Sequence, residues 1–169
     1  MHPSICRLLL RLRLALTALL FCAAPMLAHA AEKALPVPRF VSLRADEVNL
    51  RTGPGERYPI DWVLTRKGLP VEIVEEFEAW RKIRDVQGTE GWVHQRMVTG
   101  TRNVVVTGDV RTLRADPEAT APAVARAEPG VIAHLLVCRD TWCRVELQDM
   151  KGWLKRSEVW GVYPTEAVP

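Results

Sequence analysis

The sequence predicts an all-β fold, two tandem small barrels after a cleaved signal peptide. Three observations carry that prediction: an internal repeat covering most of the chain, short β-type segments divided by turn residues, and an amino-terminal stretch built like an export signal. The repeat is the strongest. Val41-Ser-Leu43, Asp46, Leu50-Arg51, Pro54, Pro59, Gly68, Trp80-x-x-Ile83, Gly91-Trp92-Val93 and Val98-x-Gly100 recur in order. Their counterparts are Val104-Val-Val106, Asp109, Leu113-Arg114, Pro117, Pro122, Gly130, Trp142-x-x-Val145, Gly152-Trp153-Leu154 and Val159-x-Gly161. Leu50 to Leu113 is 63 positions, Trp80 to Trp142 is 62 and Gly91 to Gly152 is 61, so two single-residue gaps separate the copies. That period is too long for most solenoids and suits a small domain folding as a unit.

Within copy one the β-type segments run Phe40 to Leu43, Val48 to Arg51, Ile60 to Leu64, Pro70 to Phe77, Trp80 to Asp85 and Glu90 to His94. A turn at Thr52-Gly53-Pro54-Gly55 and other turn residues divide them. No stretch sustains a helical apolar period. Short strands packed into about 60 residues suggest a meandering antiparallel barrel, because closure hides edges. A domain that small buries only about 60% of its unfolded surface, so two docked copies are expected to support each other. The boundaries follow: residues 40–100 and 103–162 as the two domains, 31–39 as an extended spacer with Pro36 and Pro38, and 163–169 as a tail of low order.

Residues 1–30 are not read as part of the fold. Arg7, Arg11 and Arg13 precede an apolar run from Leu14 to Leu27, and Ala28-His29-Ala30 places small residues where a signal peptidase inspects them. The uninterrupted apolar run falls short of the roughly 20 residues that cross a bilayer, so cleavage after Ala30 and no stable membrane insertion thereafter are expected. Phe21 before Cys22 argues against lipidation there. Taking the three signal arginines from the 23 Lys+Arg leaves 20 against 20 Asp+Glu, a neutral exported chain with its charges interspersed. Nucleic acid is not an expected partner, since it calls for a clustered basic surface.

Cys138 and Cys143 are the cysteines left after the signal, and an oxidising compartment would join them. They bracket Arg139-Asp140-Thr141-Trp142 in what reads as a hairpin with a four-residue loop. Zinc would need four ligands, and only His134 is near in sequence; a redox pair more often shows Cys-x-x-Cys. A structural bridge is expected, with no metal and no other cofactor.

The run Val48-Asn49-Leu50-Arg51-Thr52-Gly53-Pro54-Gly55, then Val71-Glu72-Ile73-Val74, Trp80-Arg81-Lys82-Ile83 and Gly91-Trp92-Val93, resembles the signature of bacterial SH3-like (Src-homology-3-like) domains. Copy two keeps Leu113-Arg114, Trp142, Gly152 and Trp153 but has Thr112 for the Asn and Asp116-Pro117-Glu118 for Gly-Pro-Gly. It is a diverged copy. The resemblance implies a partly open five-stranded barrel and a periplasmic or cell-wall binding module, of a kind often fused to wall hydrolases. It does not imply one ligand.

Catalysis is not expected. His94 and His134 lie in different copies and read as a strand-end and a strand residue, and Gly-x-Ser-x-Gly, His-Glu-x-x-His and Gly-x-x-x-x-Gly-Lys are absent. Residues shared by both copies are what the barrel needs: Trp80 and Trp142, and Trp92 and Trp153, read as structural, and Arg51 and Arg114 as partners for Asp46 and Asp109. Tyr58 and Trp62 align with Ala121 and Ala125, so copy two closes without either ring. Such rings either stack on sugar or peptide or pack one barrel on the other. Arg57, opposite Thr120, is a candidate for a carboxylate-bearing ligand, and Trp160 reads as a cover for the end of the second barrel. The expected function is a secreted or periplasmic, non-catalytic binding module recognising peptidoglycan or its peptides. The alternative is an adaptor that regulates a wall hydrolase or an envelope receptor through protein contacts.

Overall fold

Alternation of apolar and polar residues builds two sheets of the same order. In this computed structural model, which describes residues 35–169, the first sheet contains β1 (Arg39–Leu43), β2 (Glu47–Arg51), β3 (Ile60–Thr65), β4 (Pro70–Phe77), β5 (Trp80–Arg84), β6 (Glu90–His94) and β7 (Val98–Thr99). The second contains β8 (Asn103–Val106), β9 (Arg111–Arg114), β10 (Ala123–Ala127), β11 (Ile132–Arg139), β12 (Trp142–Leu147), β13 (Met150–Lys155) and β14 (Val159–Trp160). The orders are β3-β2-β6-β5-β4-β1-β7 and β10-β9-β13-β12-β11-β8-β14, antiparallel throughout. The expected signal peptide, residues 1–30, and residues 31–34 of the spacer lie outside the described residues. No described helix is long and apolar enough to cross a membrane.

Seven strands replace the five that the resemblance implies, and one of the additions in each copy is a short piece. A 3-10 turn (Gln95–Met97; Arg156–Glu158 in copy two) leads into a two-residue strand, β7 or β14, that pairs back onto the first strand of its copy. β4 and β11 carry matching bulges, between Ile73 and Glu75 and between Leu135 and Val137. Bulges bend a strand and raise its twist, and here they fall at equivalent places of the long central hairpin in each copy.

Each copy has its own core. In copy one Val41, Leu43, Leu50, Ile73, Ile83 and Val93 cluster; in copy two Val104, Val106, Leu113, Leu135, Val145 and Leu154 hold the equivalent places. The Gly-Trp pair has a steric origin. A Cβ on Gly91 would lie 2.5 Å from Leu50 Cγ and 3.0 Å from the Arg51 carbonyl, and one on Gly152 would lie 2.6 Å from Leu113 Cγ. Only glycine lets β6 approach β2 so closely. Trp92 and Trp153, 9% and 8% exposed, follow those glycines and cover the crossing from outside the main cluster, opposite Arg51 and Arg114 in register.

Copy two has smaller core residues, Ala127 and Ala133 where copy one has Leu64 and Val71. It fills the space with Cys138, Cys143, Val162 and, from the chain end, Val168. The cysteines are bridged, with Cα atoms 4.1 Å apart in directly opposed positions of β11 and β12. Arg139 pairs with Trp142, so the connection between strands is Asp140-Thr141, two residues rather than the four expected. A bridge over so short a span contributes on the order of 2 kcal/mol in the chain-entropy model.

Residues 163–169 are tied to this core. The Cys138 N–H donates to the Val168 carbonyl (3.1 Å), and Arg156 Nη1 donates to the carbonyls of Tyr163 (2.7 Å) and Glu166 (3.0 Å). The same stretch joins the two barrels, which belong to one compact unit, Pro36–Pro169. Phe40, buried, meets the ring of Trp160 edge-on at 4.9 Å and that of Tyr163 at 4.6 Å. Trp160 thus packs on copy one rather than over the end of its own barrel. Around these rings the Tyr163 hydroxyl donates to Glu72 (2.8 Å), Arg102 pairs with Glu166, and Asn103 Nδ2 donates to the Gly68 carbonyl (2.7 Å). Burial first, then the bond to Glu72, pushes the Tyr163 phenol well above its ordinary value.

Candidate functional site

The residues singled out as ligand-binding candidates fall into two places on copy one. Tyr58 follows the turn after β2, and its ring lies on the glycines of that turn: a Cβ on Gly53 would sit 2.4 Å from Tyr58 Cδ1 and one on Gly55 3.3 Å from Cδ2. Arg57 stacks over the same ring, its Cζ 5.2 Å from the centroid. Gly-Pro-Gly is therefore a seat for Tyr58. Copy two lacks the ring, having buried Ala121, and it lacks both glycines, having Asp116 and Glu118. Seat and occupant were exchanged together.

Trp62 stands apart. It lies on β3, the edge strand of the first sheet, and is 59% exposed beside Ile60 (47%) and Val63 (48%). No ring or hydrogen-bond contact joins it to Tyr58 or Arg57 among the described residues, and it has no part in the Phe40–Trp160–Tyr163 joint. An edge strand offers unpaired N–H and C=O groups to an extended chain. In copy two the equivalent strand, β10, reads Ala123-Val124-Ala125-Arg126-Ala127 and has no aromatic.

Arg51 and Arg114 are structural by a different route from the one expected. Arg51 Nη1 donates to the carbonyls of Tyr58 (2.8 Å) and Glu56 (3.1 Å), and Arg114 Nη1 donates to that of Ala121 (2.8 Å). They pin the loop before the third strand instead of pairing with Asp46 or Asp109; Asp46 instead accepts the Lys67 N–H. Trp80 and Trp142 are half-buried at the start of β5 and β12.

Each of those tryptophans walls a small groove, in equivalent positions of the two barrels. In copy one the groove, about 160 Å³, is lined by Glu47, Asn49, Arg51, Glu56, Trp80, His94 and Met97. In copy two it measures about 150 Å³, with Val110, Thr112, Arg114, Ala119, Trp142, Lys155 and Glu158 at the matching places, and Arg111 besides. His94 stands edge-on to Trp80, ring centroids 5.5 Å apart, and its Nδ1 accepts the Arg96 N–H (3.2 Å). Accepting there leaves Nε2 to carry the proton of the neutral ring. Repeat comparison could have pointed to this groove at Glu56/Ala119 and His94/Lys155, where charge changes between copies at positions flanking shared motif residues.

A larger cavity of about 600 Å³ lies on copy two between Asp140-Thr141, Lys155-Arg156-Ser157 and the docked tail at Val162 and Pro164. Its guanidinium, Arg156, is spent on the carbonyls of Asp140, Tyr163 and Glu166. No group of three or more His, Cys, Asp or Glu side chains is placed to hold a metal ion among the described residues.

No curated protein matches the sequence. Among solved structures, the chain is similar to NlpC2 from Trichomonas vaginalis, with a TM-score of 0.35 and 10% identity over 75% of this chain and 49% of that one. NlpC1 from Trichomonas vaginalis gives 0.34 and 12% over 76% and 48%. An NlpC/P60 family protein from Bacillus cereus ATCC 10987 gives 0.33 and 15% over 77% and 58%. The chain thus spans about half the length of these structures. The bacterial SH3 domain family matches twice, over residues 44–100 and 108–161. Those two segments hold both grooves and both Gly-Trp crossings, and the chain belongs to the bacterial SH3 domain family, with two tandem domains.

Proposed function

We propose that this protein is an exported, non-catalytic binding module of the bacterial envelope, and that copy one recognises peptidoglycan or its peptides through Trp62, Tyr58 and Arg57. The carrying observation is Trp62: a large ring, mostly exposed, on an open edge strand, at a position where copy two has Ala125. Copy two closes without that ring, and in copy one the ring is mostly exposed and stands outside the core cluster. Flat apolar faces stack on pyranose rings or on extended chains, and the edge of β3 can add a peptide strand beside it. The family supports a wall or envelope partner, and a disulfide-bridged chain suits an oxidising compartment. An adaptor role would use the same edge on a protein.

Sedimentation with purified sacculi tests this reading. The protein should pellet with them, and Trp62→Ala should weaken binding by about 1–3 kcal/mol, the scale for losing an aromatic anchor, with thermal unfolding nearly unchanged. Trp153→Ala should do the reverse, since truncating a buried Trp costs roughly 3–5 kcal/mol of stability. A protein that stays in the supernatant while crosslinking to one envelope protein would establish the adaptor instead.

A further inference from the structure

Beyond the Trp62 face, we propose that the groove of copy one lined by Trp80 is a binding site for an alkylammonium group, a primary amine on an aliphatic stem. The copies themselves point to this ligand. In copy two Lys155 occupies the position of His94 and holds its own ammonium 5.9 Å from the centre of the Trp142 ring. That lies within the range over which a cation is attracted to an indole face. The second groove thus carries an ammonium on its tryptophan, supplied by the chain. The first has the same wall, Trp80, and no such cation.

What replaces the lysine is acceptor chemistry. Glu47 and Glu56 line the groove of copy one where copy two has Val110 and Ala119, and neither carboxylate has a hydrogen-bond or ion-pair partner among the described residues. Asn49 adds an amide oxygen on the same outward face of β2. The cation lining the groove, Arg51, is committed through Nη1 to the carbonyls of Glu56 and Tyr58. Copy two has one carboxylate, Glu158, at the place of Met97, and that one accepts the Lys155 backbone N–H at 2.8 Å. Met97 and the Trp80 ring offer the apolar surface for an aliphatic stem. A volume near 160 Å³ is well below the roughly 300–1,000 Å³ of sites that enclose a whole small molecule, so the groove takes one functional group of a larger ligand.

An alkylammonium can come from the side chain of a diamino acid or from the amino end of a peptide. The proposal rests on copy one being the ligand-binding copy. The test is a titration of the purified protein with pentylammonium chloride, followed by NMR at the Trp80 indole N–H and the Glu47 and Asn49 amides, with 1-pentanol as the uncharged probe. Saturable shifts with the amine and none with the alcohol are expected. Glu47→Gln with Glu56→Gln should weaken binding at least tenfold, and His94→Lys, which copies the second groove, should abolish it, both at an unchanged unfolding temperature. Equal shifts with pentanol, or a double variant that binds as the parent does, would overturn the proposal. Nα-acetyl-lysine methylamide and alanyl-alanine then separate the sources: binding of either supports the site and names the source, and binding of neither refutes it. Pelleting with sacculi without saturable pentylammonium binding removes this groove and leaves the wall reading standing; the opposite result keeps the groove and removes the wall.

Discussion

Copy one and copy two solve the same structural problems with different chemistry, and the places where they differ separate fold from function. At the opposed positions of the long hairpin, copy two has the Cys138–Cys143 bridge, while copy one has Glu76 opposite Arg81, ion-paired at 2.7 Å, with Arg39 on the same carboxylate. At the loop before the third strand copy one seats Tyr58 on two glycines, while copy two closes over Ala121 with Asp116 and Glu118. In both, an arginine on β2 or β9 ties that loop to the barrel. The exchange of Leu64 and Val71 for Ala127 and Ala133 is offset by the disulfide and by Val162 and Val168. Copy two therefore spends its variable residues on a core completed by its own tail. Copy one spends them on a rim with an exposed tryptophan, two unpaired carboxylates and a histidine.

The comparison breaks most severely if the copies are uncoupled. Phe40 is the ring through which copy one meets Trp160 and Tyr163, so Phe40→Ala should cost about 3–5 kcal/mol, the scale for emptying a buried aromatic site. Because the loss falls on the joint, the two sheets should then open separately. Hydrogen exchange of the β4–β5 and β11–β12 amides should report one opening free energy in the parent and two in the variant. A variant whose sheets still open together, with less than about 1 kcal/mol lost, would show that the joint does not couple them.

Reduction of the disulfide comes next and bears on copy two alone. The chain-entropy model gives about 2 kcal/mol for so short a loop, roughly a thirtyfold rise in the opening of β11–β12, with β4–β5 unmoved. Glu76→Ala removes the corresponding ion pair from copy one and should cost about 1 kcal/mol or less, because partly solvated pairs contribute little. Glu76→Cys with Arg81→Cys should form a bridge in copy one, since the register matches that of Cys138 and Cys143. Equal effects of reduction on both hairpins would refute the assignment of the bridge to copy two's stability.

How much of this was legible in the sequence depends on whether a residue acts through its neighbours in the chain or across it. The repeat showed the strands and the Gly-Trp crossings, and the spacing of Cys138 and Cys143 in an exported chain showed the bridge, because those follow from local pattern and from spacing. It also marked Trp62, since its counterpart is alanine. It could not tell that Trp160 faces Phe40, because that contact joins the first strand of one copy to the last strand of the other, and no period relates them. The groove at Trp80 escaped for a similar reason: Glu47, Glu56, His94 and Met97 come from four segments that only strand pairing brings together. The tail read as one of low order because its anchors, Arg102 and Arg156, are polar, and nothing in Tyr163 to Pro169 announces that Val168 completes a core short of volume.

The smallest expected effect tests that anchoring through pH. Burial alone would raise the Glu166 carboxyl, but hydrogen bonds from the Arg102 guanidinium and the Tyr163 N–H outweigh it and hold the group below its ordinary value of 4.5. A carboxyl lowered in the folded state contributes stability above its unfolded value and loses that contribution as pH falls through the folded one. The tail contact should thus be intact from pH 7 down to about 4.5 and weaken below it, by about 1 kcal/mol or less for a partly solvated pair. Glu90, lowered by its bonds to Arg84 and then Lys82, titrates in the same window on copy one, so the readout is the difference between the parent and Glu166→Gln. Exchange of the Cys138 amide, which bonds the Val168 carbonyl, should accelerate below that pH in the parent and be already fast, and pH-independent after correction for intrinsic exchange, in the variant. At the other end of the scale Tyr163, raised in the folded state, keeps its contribution below its ordinary value of 10.0 and loses it as the solution becomes more alkaline. If the Cys138 amide of the parent shows no acid-dependent change, Glu166 does not hold the tail, and the docking of Val168 rests on apolar packing and the Arg156 hydrogen bonds.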